Sequence, residues 1–281
     1  MTYVVQFSTG LGSAEVARRA IAEHGVDNVH LLTADTLAED SDNWRFGHEV
    51  HEFLGQPEWI IQTDGRTPMQ VGRDVKVVPN NRFAVCSRIL KRQILGAYIE
   101  ANYDPATDII GLGFDWTEPQ RMKAAEPLWL PFKADAILMR PPYVHKAMLM
   151  KQWREEFGIK PPRLYDYGFS HANCGGACVR GGQAQWQLLL TVNRDRYLDW
   201  EGEEEKTRAE LGKDVSILRD RTGGTTVPLT LRRFREQIEA DASLFDADDW
   251  GACGCFMDDA PTPAPERIRK QLHRVEESTD E

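Results

Sequence analysis

Nowhere in this 281-residue chain does an unbroken apolar stretch approach the roughly 18 residues that a membrane-crossing helix needs. The opening residues also lack the basic segment of a secretory leader, so the expected location is the cytosol. Cysteine is scarce, at five residues, and in a reducing compartment these are not expected to form disulfides; any that cluster point to metal binding or catalysis. Positive charge is in deficit, with 34 Lys and Arg against 44 Asp and Glu and a net charge of −10. That field opposes unaided capture of bulk DNA or RNA, which needs clustered cations to release counterions. The chain has no GxxxxGK[ST] loop and no internal repeat, and the GxG at Gly10 and Gly12 lacks the third glycine of a dinucleotide fingerprint, since Glu15 stands there.

What is present begins at the N-terminus. Tyr3 to Phe7 is an apolar run that breaks into Ser8-Thr9-Gly10-Leu11-Gly12-Ser13 and then into a helical pattern from Ala14 to His24. A strand, a turn of glycines and hydroxyls, and a helix starting at that turn leave backbone N–H groups and a positive helix end facing one point, where an anion would sit. Two glycines placed only for a tight turn would look the same.

Strand-like and helix-like patterns then alternate. Strands are expected at Val29 to Leu32, Trp59 to Gln62, Asp108 to Leu112 and Ala134 to Met139, and helices at Glu39 to Leu54, Ser87 to Ala101 and Val144 to Phe157. The pattern predicts an α/β fold with a parallel sheet covered by helices on both faces, and ligands bound at the carboxyl ends of its strands. Pro161-Pro162 marks a change of style. The expected organisation is a nucleotide-binding domain at 1–158, a smaller cysteine-bearing module at 159–258, and a flexible tail at 259–281 with too little apolar content to bury. Within the module, helices are expected at Glu201 to Leu211 and Leu231 to Asp241, with a short strand at Val215 to Leu218. Two basic groups, Arg82 to Arg92 and Arg232 to Arg235, read either as anion patches or as solvated helix faces.

Four of the five cysteines form two tight groups, Cys174-Gly-Gly-Ala-Cys178 and Cys253-Gly-Cys255. Glycines beside them let the chain curl so that the sulfurs converge, as a shared four-thiolate centre requires. Tetrahedral Zn²⁺ and a [4Fe–4S] cluster fit equally. His171 is a further candidate, as a ligand or as a substrate contact. Cys86 stands apart at a helix start, either as a thiol activated by the helix dipole or as a buried core residue.

The loop Ser8 to Ser13 resembles the SGGxxS loop of the PP-loop ATP pyrophosphatase (adenine nucleotide alpha hydrolase) superfamily, with Thr9 in place of a glycine. Leu32 to Thr36, Cys86 to Lys91, Gly111 to Arg121 and the two cysteine groups are similar to the phosphoadenosine phosphosulfate reductase-like branch, including versions found in phage genomes. The resemblance implies that Ser8, Thr9, Gly10, Gly12 and Ser13 hold the phosphates of ATP bound with Mg²⁺, that Asp35 and Thr36 lie near the nucleoside, and that Lys91 and Arg121 neutralise anionic groups. Without the resemblance, Asp35 reads equally as a helix cap.

True phosphoadenosine phosphosulfate reductases carry a catalytic cysteine near the C-terminus, where this chain has Cys253 and Cys255 in a pattern of metal ligands. The expected function is therefore adenylation of a small-molecule, nucleotide or base substrate with pyrophosphate release, serving sulfur or nitrogen transfer. Reduction or sulfur transfer from a pre-formed adenylylsulfate is one alternative, and a non-catalytic adenine-nucleotide sensor or assembly subunit is another.

Overall fold

A computed structural model describes residues 1–221 and 224–251. Cys253, Cys255 and the tail at 259–281 lie outside the described residues. The described chain divides into two compact units, one built from 1–66 and 87–178, the other from 67–86 and the residues from Val179 on. The sequence boundary at 158 therefore falls inside the first unit. The reason is local: Ile159 joins the apolar cluster of Trp153 and Leu149, and Asn43 donates to the Ala172 carbonyl at 2.7 Å, which holds 159–178 to the sheet domain.

The first unit is α/β. Five parallel strands, β1 (Tyr3–Gln6), β2 (Val29–Asp35), β3 (Glu58–Thr63), β4 (Ile109–Gly111) and β5 (Lys133–Asp135), stand in the order β3-β2-β1-β4-β5. The chain winds outward from β1 through β2 to β3, then returns to β4 on the other side of β1. Side chains alternate across β1. Tyr3, Val5 and Phe7 pack with α1 (Leu11–His24) and α2 (Ser41–Phe53), while Val4 packs with Leu95 and Ile99 on the opposite face. Both faces are thus covered, as a buried parallel sheet requires. Where β1 meets β4, Tyr3 donates to Asp135 Oδ2 at 2.8 Å, and a Cβ on Gly111 would come within 2.3 Å of the Tyr3 ring.

The remaining first-unit helices are α4 (Ile94–Asn102), α5 (Pro119–Ala125) and α6 (Lys146–Glu155). A π-helical turn, Arg88–Gln93, leads into α4, so the helix expected from Ser87 is regular only after Gln93. The expected strand through Met139 ends at Asp135, because Ile137–Met139 forms a 3₁₀ turn whose buried Ile137 and Leu138 fill the cluster around α1.

In the second unit, α3 (Pro68–Asp74), which is short and was not expected from periodicity, starts with a capping box of Thr67 and Gln70. Arg73 then donates to Glu203 Oε2 at 2.6 Å on α8 (Arg194–Leu211), which begins seven residues before the acidic segment expected from sequence. Trp186 of α7 (Gln183–Val192) meets Tyr197 and Trp200 edge-on. A hairpin of β6 (Leu218–Asp220) and β7 (Val227–Leu229) precedes α9 (Leu231–Ala240). The expected strand at Val215 to Leu218 is displaced because Ser216 turns back to bond Leu218 O and Leu229 N.

Glu204 is fully buried in this unit and accepts from Ile217 N at 2.7 Å and Leu231 N at 2.6 Å. Burial raises its pKa to about 7 against the two N–H bonds that lower it. A folded-state pKa above the ordinary 4.5 means that the folded state holds the proton more tightly, so its contribution is present at acid pH and lost as pH rises through about 7. Glu204→Gln removes that titration. Denaturant unfolding at pH 6 and pH 8 should show the native chain losing on the order of 1–2 kcal/mol more than the variant across that step. An identical pH response in the two proteins would show that Glu204 does not titrate in the folded state.

Candidate functional site

The order β3-β2-β1-β4-β5 reverses direction between β1 and β4, which places a crevice at the carboxyl ends of those two strands. The loop Ser8 to Ser13 leaves β1 there, and Leu112 to Phe114 leave β4 beside it. A Cβ on Gly12 would lie 3.4 Å from the Gly113 carbonyl, so the two loops approach to backbone distance. Thr33 fixes the root of the first loop: its hydroxyl donates to Phe7 O at 2.6 Å and accepts from Trp59 Nε1 at 2.8 Å.

Thr9 lies in the loop with a φ of 53°, the left-handed value that glycine tolerates best. Two contacts hold it there. Its hydroxyl donates to Ser8 O at 2.7 Å, and its methyl fits over Gly47 of α2, where an added Cβ would sit 2.8 Å from it. Ser13 donates to the Gly10 carbonyl at 2.9 Å and lies 3.3 Å from the Ser8 hydroxyl. Gly10 caps α1 without a side chain, and the first turn contains no acid to compete for an anion. The Leu11 N–H reaches the Tyr165 hydroxyl at 3.3 Å.

Glu39, half-hidden in the sequence as one more acid at a helix start, is a centre of contacts. It pairs with buried Lys91 at 3.4 Å, accepts from Thr36 Oγ1 at 3.3 Å and accepts from the Cys174 N–H at 2.6 Å. Lys91 comes from the π-helical turn, an irregularity of the kind often found at functional sites. Asp35 lies at the end of β2, and its carboxylate accepts from Leu37 N at 2.8 Å. Its alternative role is excluded: the cap of α2 is Asp40, which accepts from Asp42 N.

Cys174, Gly175 and Gly176 all have left-handed φ, at 51°, 57° and 84°. This curl brings the Cys174 thiol within hydrogen-bonding reach of the Cys178 sulfur. That bond, then burial and the Glu39 charge, push the Cys174 pKa up, with Lys91 opposing. Two converging sulfurs fit half of a four-thiolate centre, and the other half, Cys253 and Cys255, is outside the described residues. Among the described residues no group of three or more metal-binding side chains occurs. Cys86 is buried at a helix start in the second unit.

Arg121 ion-pairs with Glu118, and its guanidinium lies 4.5 Å from the Phe114 ring centroid. Lys146 donates to the Ser170 carbonyl, and its ammonium sits 4.4 Å from the Tyr165 ring centroid. Sequence reasoning missed both Lys146 and Tyr165. No local pattern marks them, because they reach the loop only through the fold. In the second unit, the basic group Arg232 to Arg235 is a paired helix face, with Arg235 at 2.8 Å and Arg232 at 3.4 Å from Glu201.

No family model and no curated protein sequence matches the chain. Among the described residues, no helix is long and apolar enough to cross a membrane.

His171 reports the field of the site. Burial lowers its pKa to about 4, and Lys146, Lys91 and Arg121 add to the shift. The unfolded chain therefore takes up a proton near pH 6.5 that the folded chain refuses until about pH 4, so stability should fall as pH drops across that window. The ring-carbon resonances of His171 should titrate with a midpoint near 4. A midpoint near the ordinary 6.5 would mean that the ring is neither buried nor held in a positive field.

Proposed function

We propose that the first unit binds ATP at the Ser8 to Ser13 loop and adenylates a substrate with release of pyrophosphate. The observation that carries this reading is the strand-loop-helix at the sheet's reversal point, with the N-terminus of α1 uncapped by acid and Lys91, Arg121 and Lys146 gathered in the same unit. The similarity of the loop and its neighbouring motifs to PP-loop pyrophosphatases supports it. A substrate oxygen would attack the α-phosphorus, the bond to the β-phosphate oxygen would break, and pyrophosphate would leave with that electron pair.

The chain's task in such a transfer is mostly positioning and offsetting charge. N–H groups of the first α1 turn and the Ser8 and Ser13 hydroxyls would orient phosphate oxygens, while Lys91 and Arg121 would stabilise charge on the departing group. Asp35 and Thr36, at the end of the adjacent strand, would border the nucleoside. Mg²⁺ carried with ATP would offset phosphate charge. Cys174 and Cys178, with Cys253 and Cys255, would hold Zn²⁺ or a [4Fe–4S] cluster, which would supply either shape or sulfur-handling chemistry. Sulfide or ammonia would then displace AMP.

A second reading draws on the Cys174–Cys178 thiol pair beside Glu39: reduction of, or sulfur transfer from, a pre-formed adenylylsulfate. Sulfite rather than pyrophosphate among the products would select it.

Gly10 gives the direct test. A side chain there would crowd the Tyr165 hydroxyl, 3.3 Å from the added Cβ, and Ser8 Oγ at 3.6 Å. Gly10→Val should weaken binding of Mg-ATP by at least about tenfold in calorimetry while the circular dichroism spectrum is retained. Equal affinity in both proteins would remove the loop from nucleotide binding.

A further inference from the structure

We propose that His171, Lys146 and Arg121, together with Lys91, form a subsite for a tetrahedral oxyanion, a phosphate- or sulfate-like group, bordering the Ser8 to Ser13 loop. The inference deepens the adenylation reading and rests on it for what carries the oxyanion.

The contacts form a chain. Lys146 is anchored to the carbonyl of Ser170, the residue before His171, which fixes its ammonium beside the imidazole's own backbone. The same ammonium stands over the Tyr165 ring, whose hydroxyl meets the first N–H of α1, so it lies one side chain away from the loop. On the other side, the Cys174 N–H is held by Glu39, which holds Lys91, so the segment 171–174 is clamped between two cations. Arg121 stands 4.5 Å from the ring centroid of Phe114, just beyond the Gly113 backbone that Gly12 approaches.

Two polar atoms in this cluster are buried and, among the described residues, have no hydrogen-bond partner: His171 Nδ1 and Arg121 Nε. A buried donor left without a partner costs about 1–3 kcal/mol, so such atoms call for a ligand or a water. Burial, with the field of the three cations adding to it, keeps His171 neutral at pH 7. A neutral imidazole offers one N–H without adding charge, and the cations supply the charge. Donors arriving from an ammonium, a guanidinium and an imidazole on separate elements suit the several directions of a tetrahedral oxyanion better than the two coplanar oxygens of a carboxylate.

The test titrates the full chain with inorganic sulfate, with pyrophosphate and with acetate by calorimetry, alone and in the presence of an ATP analogue that cannot be cleaved between the α and β phosphates. The native chain should bind sulfate or pyrophosphate and not acetate. His171→Leu and Lys146→Met should each weaken that binding by about tenfold or more. Should either variant misfold, the native chain still decides: sulfate should shift the ring-nitrogen resonances of His171. Sulfate binding that persists with the analogue present assigns the subsite to an oxyanion on the acceptor. Exclusion by the analogue assigns it to the nucleotide's own phosphates. Sulfate binding that depends on His171, in a chain that binds no ATP analogue, would keep the subsite and discard the adenylation reading. No binding of either oxyanion, unchanged affinity in both variants, unmoved His171 resonances or equal binding of acetate would overturn the subsite.

Discussion

The close approach of two backbones at the carboxyl ends of β1 and β4 is the constraint on which the rest of the site depends. Parallel pairing of Tyr3 with Ile109 brings the two following loops together, and a Cβ on Gly12 would be in van der Waals contact with the Gly113 carbonyl at 3.4 Å. Gly111 is needed for a related reason, because the Tyr3 ring, held by Asp135, occupies the space where a side chain would go. Thr9 must then turn through a left-handed conformation, and Gly47 on α2 leaves the gap that its methyl fills. Three elements that are distant in sequence thus share one steric requirement. A left-handed β-branched residue costs about 1–3 kcal/mol and persists only where its surroundings fix it, as here.

The second organising feature is electrostatic. Lys91 and Glu39 are both nearly inaccessible, with side chains 8% and 7% exposed, and Glu39 also receives the Cys174 N–H. Removing one partner of such a pair strands a buried charge, at a cost of about 3–5 kcal/mol. The pair therefore does more than neutralise itself. It ties the π-helical turn, the segment before α2 and the cysteine loop into one assembly, so that the position of the thiols depends on the same carboxylate that positions the lysine. Any change of charge at the thiols would be felt by Lys91 through Glu39.

Much of the fold was legible because it follows from periodicity. The alternation in Tyr3 to Phe7, the helical spacing of α1 and the apolar runs at β2 and β3 each appear within a residue or a few of their expected places. The elements that escaped are short or irregular. α3 depends on a capping box, and Ile137–Met139 is apolar enough to read as strand although it bends to fill the cluster against α1. At the site, the loop and the Cys174–Cys178 curl were readable because glycine and cysteine are locally diagnostic. Glu39, Lys146 and Tyr165 were not. Each belongs to an ordinary local pattern, and only the crossing of the chain at the reversal of the sheet brings it into contact with the others.

Net charge illustrates the same limit. A total of −10 reads as a surface that repels anions, yet acids and bases are not spread evenly. In the second unit Glu201 is engaged by Arg232 and Arg235 on the face of α9, and Glu203 by Arg73, so those charges cancel locally. In the first unit Lys91, Lys146 and Arg121 all act on one largely buried imidazole, adding to the effect of its burial in lowering its pKa. A cleft that gathers cations within low-dielectric walls focuses a positive potential inside an acidic chain. Such a chain would draw a small anion into the cleft while its outer surface resists long polyanions, which cannot follow. Were the proposed subsite to bind small phosphorylated or sulfated ligands, its selectivity over bulk nucleic acid would need no recognition of sequence, only the contrast between the field of the crevice and the field of the surface.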